Sequence, residues 1–321
     1  MKFDPLEIAE IARTTRFDPA NVEKALRLKH LLVELNRHET LRGKLVLKGG
    51  TALNVFHQHL PRLSIDIDLN YIGQVQREAM LKDRPGIERA AIQVCEGLGY
   101  RIQPGTEGYA LSEICLSYTN HAGRYDQIQV ELNFLMRVCA LPPKTSKARQ
   151  FGDEEACDFP VLAIEELMAG KIKALIERFH PRDIYDLFQF ERDGARHDAE
   201  MLRKLTVLFG ATLNRDLREY KADRYEELGQ EDVERLLYPL LRSDDRPNAG
   251  QMLTAVRPLL SAVLDHKREE PFLEAIAAGE YHPELLFPEN PEVVRRIERH
   301  PALLWKVENV STYLADRRGR R

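Results

Sequence analysis

Two aspartates one residue apart, Asp66 and Asp68, interrupt the apolar string "LSIDIDL" at residues 63–69, and Gly49, Gly50 and Thr51 stand upstream in "LVLKGGTALNVF". Two carboxylates on one strand face repel each other, and burying both without compensation is expensive. A hard divalent cation such as Mg²⁺ relieves the repulsion, because it takes oxygen ligands at short distance. The alternative is a pair of aspartates on the solvated face of an edge strand. The Gly-Gly-Thr stretch weighs against that alternative. A strand ending in glycines and opening a helix offers free backbone N–H groups and lets a phosphate approach the chain closely. A phosphate-binding turn that leads, one helix later, to a carboxylate pair describes a site for a nucleoside triphosphate and its metal.

A third oxygen ligand is expected from a neighbouring strand. In "DQIQVELNFL", Ile128, Val130, Leu132 and Phe134 fall on one face and Gln129, Glu131 and Asn133 on the other, so Glu131 is the best candidate. Asp126 shares parity with the apolar set and is the weaker choice. Metal ions held by such carboxylates activate an attacking oxygen and stabilise a leaving pyrophosphate. Ser64 and Arg62 precede the aspartate pair and either line the same pocket or are ordinary residues on the polar strand face.

The elements that must position these groups are legible from periodicity. Residues 1–41 carry helical spacing, "KLVLKGG" reads as a buried strand meeting a turn, and "TALNVFHQHL" follows as a helix with Thr51 as its N-cap. Leu63, Ile65, Ile67 and Leu69 alternate with Ser64, Asp66, Asp68 and Asn70. Residues 84–98 read as a helix, and "YRIQP", "EICLSYT" and "DQIQVELNFL" as strands. The Pro- and charge-rich segment "PPKTSKARQFGDEEACDFP" lacks periodicity and reads as a connection to an almost wholly helical remainder.

In "IEELMAGKIKALIERF", Leu167, Met168, Lys171, Leu175 and Arg178 share one side, whereas Glu166, Lys173 and Glu177 point away. Lys171 therefore lies in an apolar stripe, either drawn inward by a partner or with its stem along the core edge and its ammonium in water. Lys173 is placed to pair with Glu177 on the surface. The next helix starts near Pro181 and puts Asp183, Asp186, Leu187 and Phe190 on one face. Asp183 near a helix start is favoured electrostatically, yet that does not explain its place beside Leu187 and Phe190. Lys171 and Asp183 facing the cleft between domains would serve a nucleotide site. Asp186 would support them by holding Arg178 or Arg182.

Composition narrows the classes. The 321 residues are 31% charged and 43% apolar with a net charge of −4, an ordinary globular profile that restricts any nucleic-acid contact to a local basic patch. Candidate patches are Lys144, Lys147 and Arg149, and the tail residues Arg317, Arg318, Arg320 and Arg321. No run approaches the ~20 apolar residues of a membrane span and the N-terminus lacks a signal-peptide core, so a cytoplasmic setting is the expectation. Cys95, Cys115, Cys139 and Cys157 form no CxxC pair, which argues against a zinc knuckle or a disulfide framework. His57 and His59 are spaced i and i+2 on a helix and do not face each other. No GxSxG is present, and Cys115 and Cys139 have no evident histidine partner.

The strings "LVLKGGTALNVF", "RLSIDIDLNYI", "AGKIKALIER" and "PRDIYDLF", in that order, resemble the DNA polymerase β-like nucleotidyltransferases, and specifically the AbiEii/AbiGii toxin family of abortive-infection and type IV toxin–antitoxin systems. The resemblance covers roughly residues 20–190; beyond that the chain is similar only in being helical. It implies an α+β fold: residues 1–145 as N-terminal helices plus a nucleotidyltransferase core with a mixed sheet, and residues 146–321 as a helical domain contributing to the active-site cleft. It implies an enzyme in which Asp66, Asp68 and Glu131 hold Mg²⁺, although a glutamate stands where such enzymes more often have aspartate. Gly49, Gly50, Thr51 and Ser64 would bind the nucleoside triphosphate, and Lys171 and Asp183 correspond to the family's functional lysine and aspartate. The implied reaction adds a nucleotide to an RNA, at the 3′ end of tRNA, and blocks translation; the implied partner is an antitoxin encoded nearby that need not form a stable complex. Transfer to a protein hydroxyl, phosphoryl transfer, or nucleotide or RNA binding without turnover remain open alternatives.

Overall fold

The computed structural model describes residues 3–319 except 104, 106, 107, 152–154, 195 and 221–227. Seven strands form one mixed sheet: β1 (Leu45–Lys48), β2 (Asp66–Tyr71), β3 (Arg101–Gln103), β4 (Leu111–Thr119), β5 (Tyr125–Asn133), β6 (Lys144–Lys147) and β7 (Asp158–Val161). Their spatial order is β3-β4-β5-β2-β1-β7-β6. The pairs β2–β5 and β1–β7 are parallel, and the remaining neighbours are antiparallel. The α+β expectation holds.

Strict alternation sets the two sheet faces. Ile67, Leu69, Tyr71, Ile128, Val130, Leu132 and Phe134 are buried, while their sequence neighbours Asp66, Asp68, Gln129, Glu131 and Asn133 are only partly covered. The apolar face is served by α2 (Pro19–Arg37) and α4 (Arg77–Gly97). Lys24 of α2 pairs with Asp126 at 2.8 Å, and Tyr71 donates to Asp83 of α4 at 2.5 Å. Asp126 therefore belongs to the helix-covered side, as its parity demanded. Both α2 and the preceding α1 (Pro5–Thr15) begin with an aspartate cap followed by proline, which satisfies orphan N–H groups and pre-sets the first turn.

Two local expectations are overturned. The segment read as an irregular connection supplies β6 and β7, the outer strands beyond β1. Their signal is weak because β6, "KTSK", is a short polar edge strand and β7 contains Pro160, so long-range pairing rather than periodicity makes them strands. The stretch after the glycines also differs. A helical turn, α3 (Gly49–Thr51), runs into a π-helical segment, Ala52–His57, marked by Gln58 N–H donating to the Leu53 carbonyl five residues back at 2.9 Å. Thr51 lies inside the turn and is not its N-cap; its hydroxyl donates to the Asp66 carbonyl at 2.5 Å.

The chain divides into two compact units. The first comprises Met1–Arg137, Pro143–Leu162 and Gln230–Asn248 and contains the sheet. Within it the late segment is stitched to the early one: Leu63 N–H donates to Leu240 O at 2.9 Å, and Asn21 donates to Pro239 O at 2.8 Å. The second comprises Val138–Pro142, Ala163–Gly229 and Ala249–Arg321 and is helical, opening with α5 (Ile164–Arg178), α6 (Pro181–Asp193) and α7 (Ala199–Gly210). Pro181 takes the first position of α6, and Lys173 pairs with Glu177 at 3.2 Å, as the helical reading required.

Glu166, expected on the outward side of α5, is buried instead. Its carboxylate accepts the backbone N–H groups of Ala140 at 3.2 Å and Leu141 at 3.0 Å. Helical periodicity could not anticipate this, because the partner is a distant backbone turn with two donors to satisfy. Burial pushes the Glu166 carboxyl up to about 7, against the opposing pull of the two donors. A folded-state value above the ordinary carboxyl value means that stability is fullest at low pH and is lost as pH rises from about 4.5 through about 7, by roughly 3 kcal/mol in all. Urea denaturation of Glu166→Gln across that range should lose this slope; an equal slope in both proteins would contradict the assignment.

Candidate active site

The strand register brings the sequence candidates of the first unit into one row. Lys48 on β1 lies opposite Asp68 on β2, Asp68 lies opposite Glu131 on β5, and Glu131 lies opposite Glu113 on β4. Directly opposed residues project from the same face of a sheet, so all four stand on the polar side. Asp66, two residues before Asp68, projects from that side one rung away. The Lys48 ammonium meets Glu131 Oε1 at 2.7 Å, with both side chains about a quarter exposed.

Neither Lys48 nor Glu113 was singled out from the sequence. Both stand in alternating or strand-ending positions that sequence alone shows, but their opposition to Asp68 and Glu131 depends on register, which periodicity does not report. Adjacent strands lie ~4.8 Å apart, and two like charges about 5 Å apart repel by roughly 3 kcal/mol at an effective dielectric of ~20. Lys48 offsets the Glu131 carboxylate of that row. Asp66, Asp68 and Glu131 share the polar face as oxygen donors of the kind a divalent hard cation takes, with their carboxylates not drawn together around one point.

The glycines are required by contact, not only by flexibility. Gly49 has φ +71°, and a Cβ there would lie 2.0 Å from Asp68 Oδ2. The Asp68 carboxylate thus rests against the bare backbone of the turn. A Cβ on Gly50 would fall 2.7 Å from an Arg62 guanidinium nitrogen and 3.1 Å from Ser64 Oγ. Arg62 and Ser64 are themselves buried, and Arg62 donates to the Leu63 carbonyl at 3.1 Å. The Gly50 carbonyl accepts from the Asn54 side-chain amide at 2.9 Å. Gly49, Gly50, Thr51, Ser64, Asp66, Asp68 and Glu131 are therefore built into one connected region of the first unit, with Thr51 and Asp66 joined directly.

The second-unit candidates form a separate cluster. Lys171 Nζ lies 2.8 Å from Asp186 Oδ2 and 3.3 Å from Asp183 Oδ1. Arg178 grips Asp183 through two hydrogen bonds, at 2.7 and 3.0 Å. Both aspartates are fully buried. Burial raises the Asp183 value, yet Lys171 and Arg178 outweigh it and hold the carboxyl below its ordinary range. Lys171 is thus drawn inward by two partners, and the reading with its ammonium in water is set aside. Arg178 goes to Asp183, and Asp186 holds Lys171.

Several weaker signals resolve plainly. His57 bonds the Leu162 carbonyl at 3.0 Å while His59 is exposed, so the two do not form a metal pair. Among the described residues, one group of three His or carboxylate ligands comes together, His30, Glu34 and Glu155, and Arg37 already bonds both of its glutamates. The four cysteines are free, and three of them are buried. Lys144 and Lys147 are exposed on β6. Of the basic tail, Arg317 is exposed, whereas the Arg318 side chain, Arg320 and Arg321 lie outside the described residues. No helix among the described residues is long and apolar enough to cross a membrane.

A mixed sheet with carboxylates aligned across neighbouring strands, set against a Gly-Gly-Thr turn, is the arrangement of a nucleotidyltransferase, and this chain is an enzyme of that class. It belongs to the family described as nucleotidyl transferase AbiEii toxin of type IV toxin–antitoxin systems, which it matches over residues 30–278. The match runs well past residue 190, so the helical second half carries family character that its periodicity alone did not display. The fold is similar to that of MenT4, a nucleotidyltransferase toxin from Mycobacterium tuberculosis H37Rv, with a TM-score of 0.65 and 20% identity over 94% of this chain and 99% of that one. A CdnC:HORMA complex from E. coli MS115-1 also matches, at 14% identity over 96% of this chain and 97% of that one, but its TM-score of 0.26 supports no argument. No curated protein sequence matches the chain.

The buried cluster has a consequence for experiments on Lys171. Removing its charge takes a cation away from two fully buried aspartates, so Lys171→Met should lower the unfolding free energy by about 3–5 kcal/mol in urea titrations at neutral pH. Arg178→Ala should cost much less, because the Arg178 side chain is more than half exposed. Equal midpoints for wild type and Lys171→Met would refute the buried-pair account.

Proposed function

We propose that this protein is a Mg²⁺-dependent nucleotidyltransferase toxin that transfers a nucleotide from a nucleoside triphosphate to the 3′ end of an RNA, with tRNA as the acceptor that would block translation. The observation that carries this reading is the single row Lys48, Asp68, Glu131 packed against Gly49, with Asp66 on the same sheet face. A glycine turn that opens a helical segment beside strand carboxylates suits a metal-bound triphosphate better than it suits any peptide or sugar.

Asp66, Asp68 and Glu131 are the residues that would hold the metal, which when bound neutralises triphosphate charge and activates the acceptor hydroxyl. Gly49, Gly50 and Thr51 orient the phosphates through backbone N–H groups, while the Thr51 side chain ties the turn to β2. Ser64 supports Gly50 from below, close to the same phosphates. Lys48 holds the Glu131 carboxylate in place and adds a fixed positive charge to the row. In the reaction the acceptor hydroxyl oxygen bonds to the α-phosphorus, the bond to the bridging oxygen breaks, pyrophosphate departs and the hydroxyl proton goes to a base. By family resemblance Lys171 and Asp183 correspond to the family's functional lysine and aspartate, Lys171 as a cation and Asp183 as the group that orients it. The setting is cytoplasmic, and the partner is an antitoxin encoded beside the toxin, in the manner of type IV systems.

The test incubates the purified protein with Mg²⁺, total tRNA and each α-³²P nucleoside triphosphate in turn, beside an Asp66→Ala control. Label on tRNA that requires Asp66 is the expected result, and the nucleotide that labels identifies the base preference. Label on protein alone, or none with any nucleotide, would overturn the RNA-transfer reading.

A further inference from the structure

The polar face that carries the carboxylates does not end with them. Gln129 lies opposite Asp66, Cys115 opposite Gln129, and Gln103 opposite Cys115, so one rung crosses four strands from the acidic row to the sheet edge. The next rung outward is Gln127, Ser117 and Arg101, and the one beyond it is Tyr125 and Thr119. All of these residues share the carboxylate face by register. Yet none of them is acidic, and the one charged side chain among them is Arg101. In a chain with 31% charged residues, the face changes character from four carboxylates to amides, hydroxyls and one arginine within two rungs.

This outer region is pre-arranged. Gln127 Nε2 donates to Gln103 Oε1 at 2.9 Å and to the Tyr125 hydroxyl at 2.7 Å, and Gln103 also donates to the Tyr125 hydroxyl. The three side chains brace one another across the β3 and β5 positions while remaining open: Tyr125 is 63% exposed, and Gln127 is exposed. Rungs two residues apart lie ~6.7 Å from each other and strands ~4.8 Å, so the three-strand platform measures roughly 13 Å by 10 Å. An open sheet of that size with an aromatic ring and side-chain amides accommodates about two or three bases of a single strand, the ring stacking and the amides meeting base edges.

We propose that this β3–β4–β5 platform seats the single-stranded 3′ end of the RNA acceptor and delivers its terminal hydroxyl toward Asp66 and Asp68. The inference rests on the RNA-transfer reading above and adds the place and residues of acceptor recognition. Three features select this occupant. The platform is continuous, through Gln129, with the rung of Asp66. Its lack of carboxylates and its Arg101 admit a phosphate backbone that the acidic row would repel. It exposes one aromatic ring and amides that both donate and accept, but no aliphatic cluster of the kind a protein partner buries at an interface core.

The test measures fluorescence anisotropy of a labelled eight-nucleotide single-stranded RNA with the full-length protein, without nucleoside triphosphate, for wild type, Tyr125→Ala and Tyr125→Phe. Stacking of a base on an aromatic ring predicts binding weakened about tenfold or more in Tyr125→Ala and largely kept in Tyr125→Phe. Affinity for a non-hydrolysable nucleoside triphosphate should be the same in all three. In the transfer assay the acceptor KM of Tyr125→Ala should rise by a similar factor. Because Tyr125 is exposed, thermal midpoints are expected to agree, and a shifted midpoint is controlled by Gln127→Ala, which should weaken RNA binding in the same direction. RNA binding and acceptor KM that ignore both substitutions, in a protein that still labels RNA, overturn this inference alone. Absence of RNA binding by the wild type overturns it as well, whereas RNA binding without transfer would overturn only the reading of the reaction.

Discussion

The parallel pairing of β2 with β5 is the constraint on which the site depends. It sets Asp68 against Glu131 and Asp66 against Gln129, and a slip of one residue would turn both carboxylates of β2 toward the helices. The buried set Ile67, Leu69, Val130 and Leu132 holds that register from the other face. The same residues that form the core therefore also aim the carboxylates. Antiparallel β1 completes the row by presenting Lys48, and the chain then has to turn at once, next to Asp68, with no room for a side chain at Gly49. Positive φ and the approach of Oδ2 both demand glycine at that point. The acidic pair and the glycine turn are thus one structural solution, not two motifs that happen to be neighbours.

The second unit follows a different logic. Lys171 pairs with Asp183 and Asp186 in the interior, Arg178 reaches Asp183 from a more exposed position, and each buried aspartate has a cation beside it. Such groups are strongly destabilising when one partner is removed, whatever chemistry they also perform. Loss of toxicity after substitution at Lys171 or Asp183 therefore does not by itself assign a catalytic role. Measurements of folding must accompany measurements of activity there, more than at the partly exposed carboxylates of the sheet.

Much of this was legible in the sequence, and the failures have physical causes. Strand alternation identified the faces of β2 and β5 because apolar side chains line one side of each, and it separated Glu131 from Asp126. The helical stripe put Lys171, Asp183 and Asp186 on the apolar side with Leu167, Leu187 and Phe190, but left open whether the Lys171 ammonium reaches water. It did not pair Asp186 with Lys171, because that contact joins two helices. Lys48 and Glu113 stayed hidden because their meaning lies in cross-strand opposition. Strands β6 and β7 escape periodicity because such short strands take their conformation from their partners. Glu166 was misjudged because a buried backbone turn competes with solvent for its carboxylate, and no periodic pattern records that competition. Thr51 was misread as a cap for a similar reason: a hydroxyl near a helix start has several backbone partners, and here the Asp66 carbonyl takes it.

The central claim is that Asp68, resting on Gly49 and aligned with Glu131, forms a metal–triphosphate site. Its most direct test is isothermal titration calorimetry of a non-hydrolysable nucleoside triphosphate, with and without Mg²⁺, against wild type and Asp68→Asn. Asparagine keeps the shape that packs on Gly49 and removes the charge. The account expects binding that requires Mg²⁺ and weakens at least about tenfold in the variant, a loss of ~1.4 kcal/mol or more. Binding that is indifferent to Mg²⁺, or equal in both proteins, would contradict it.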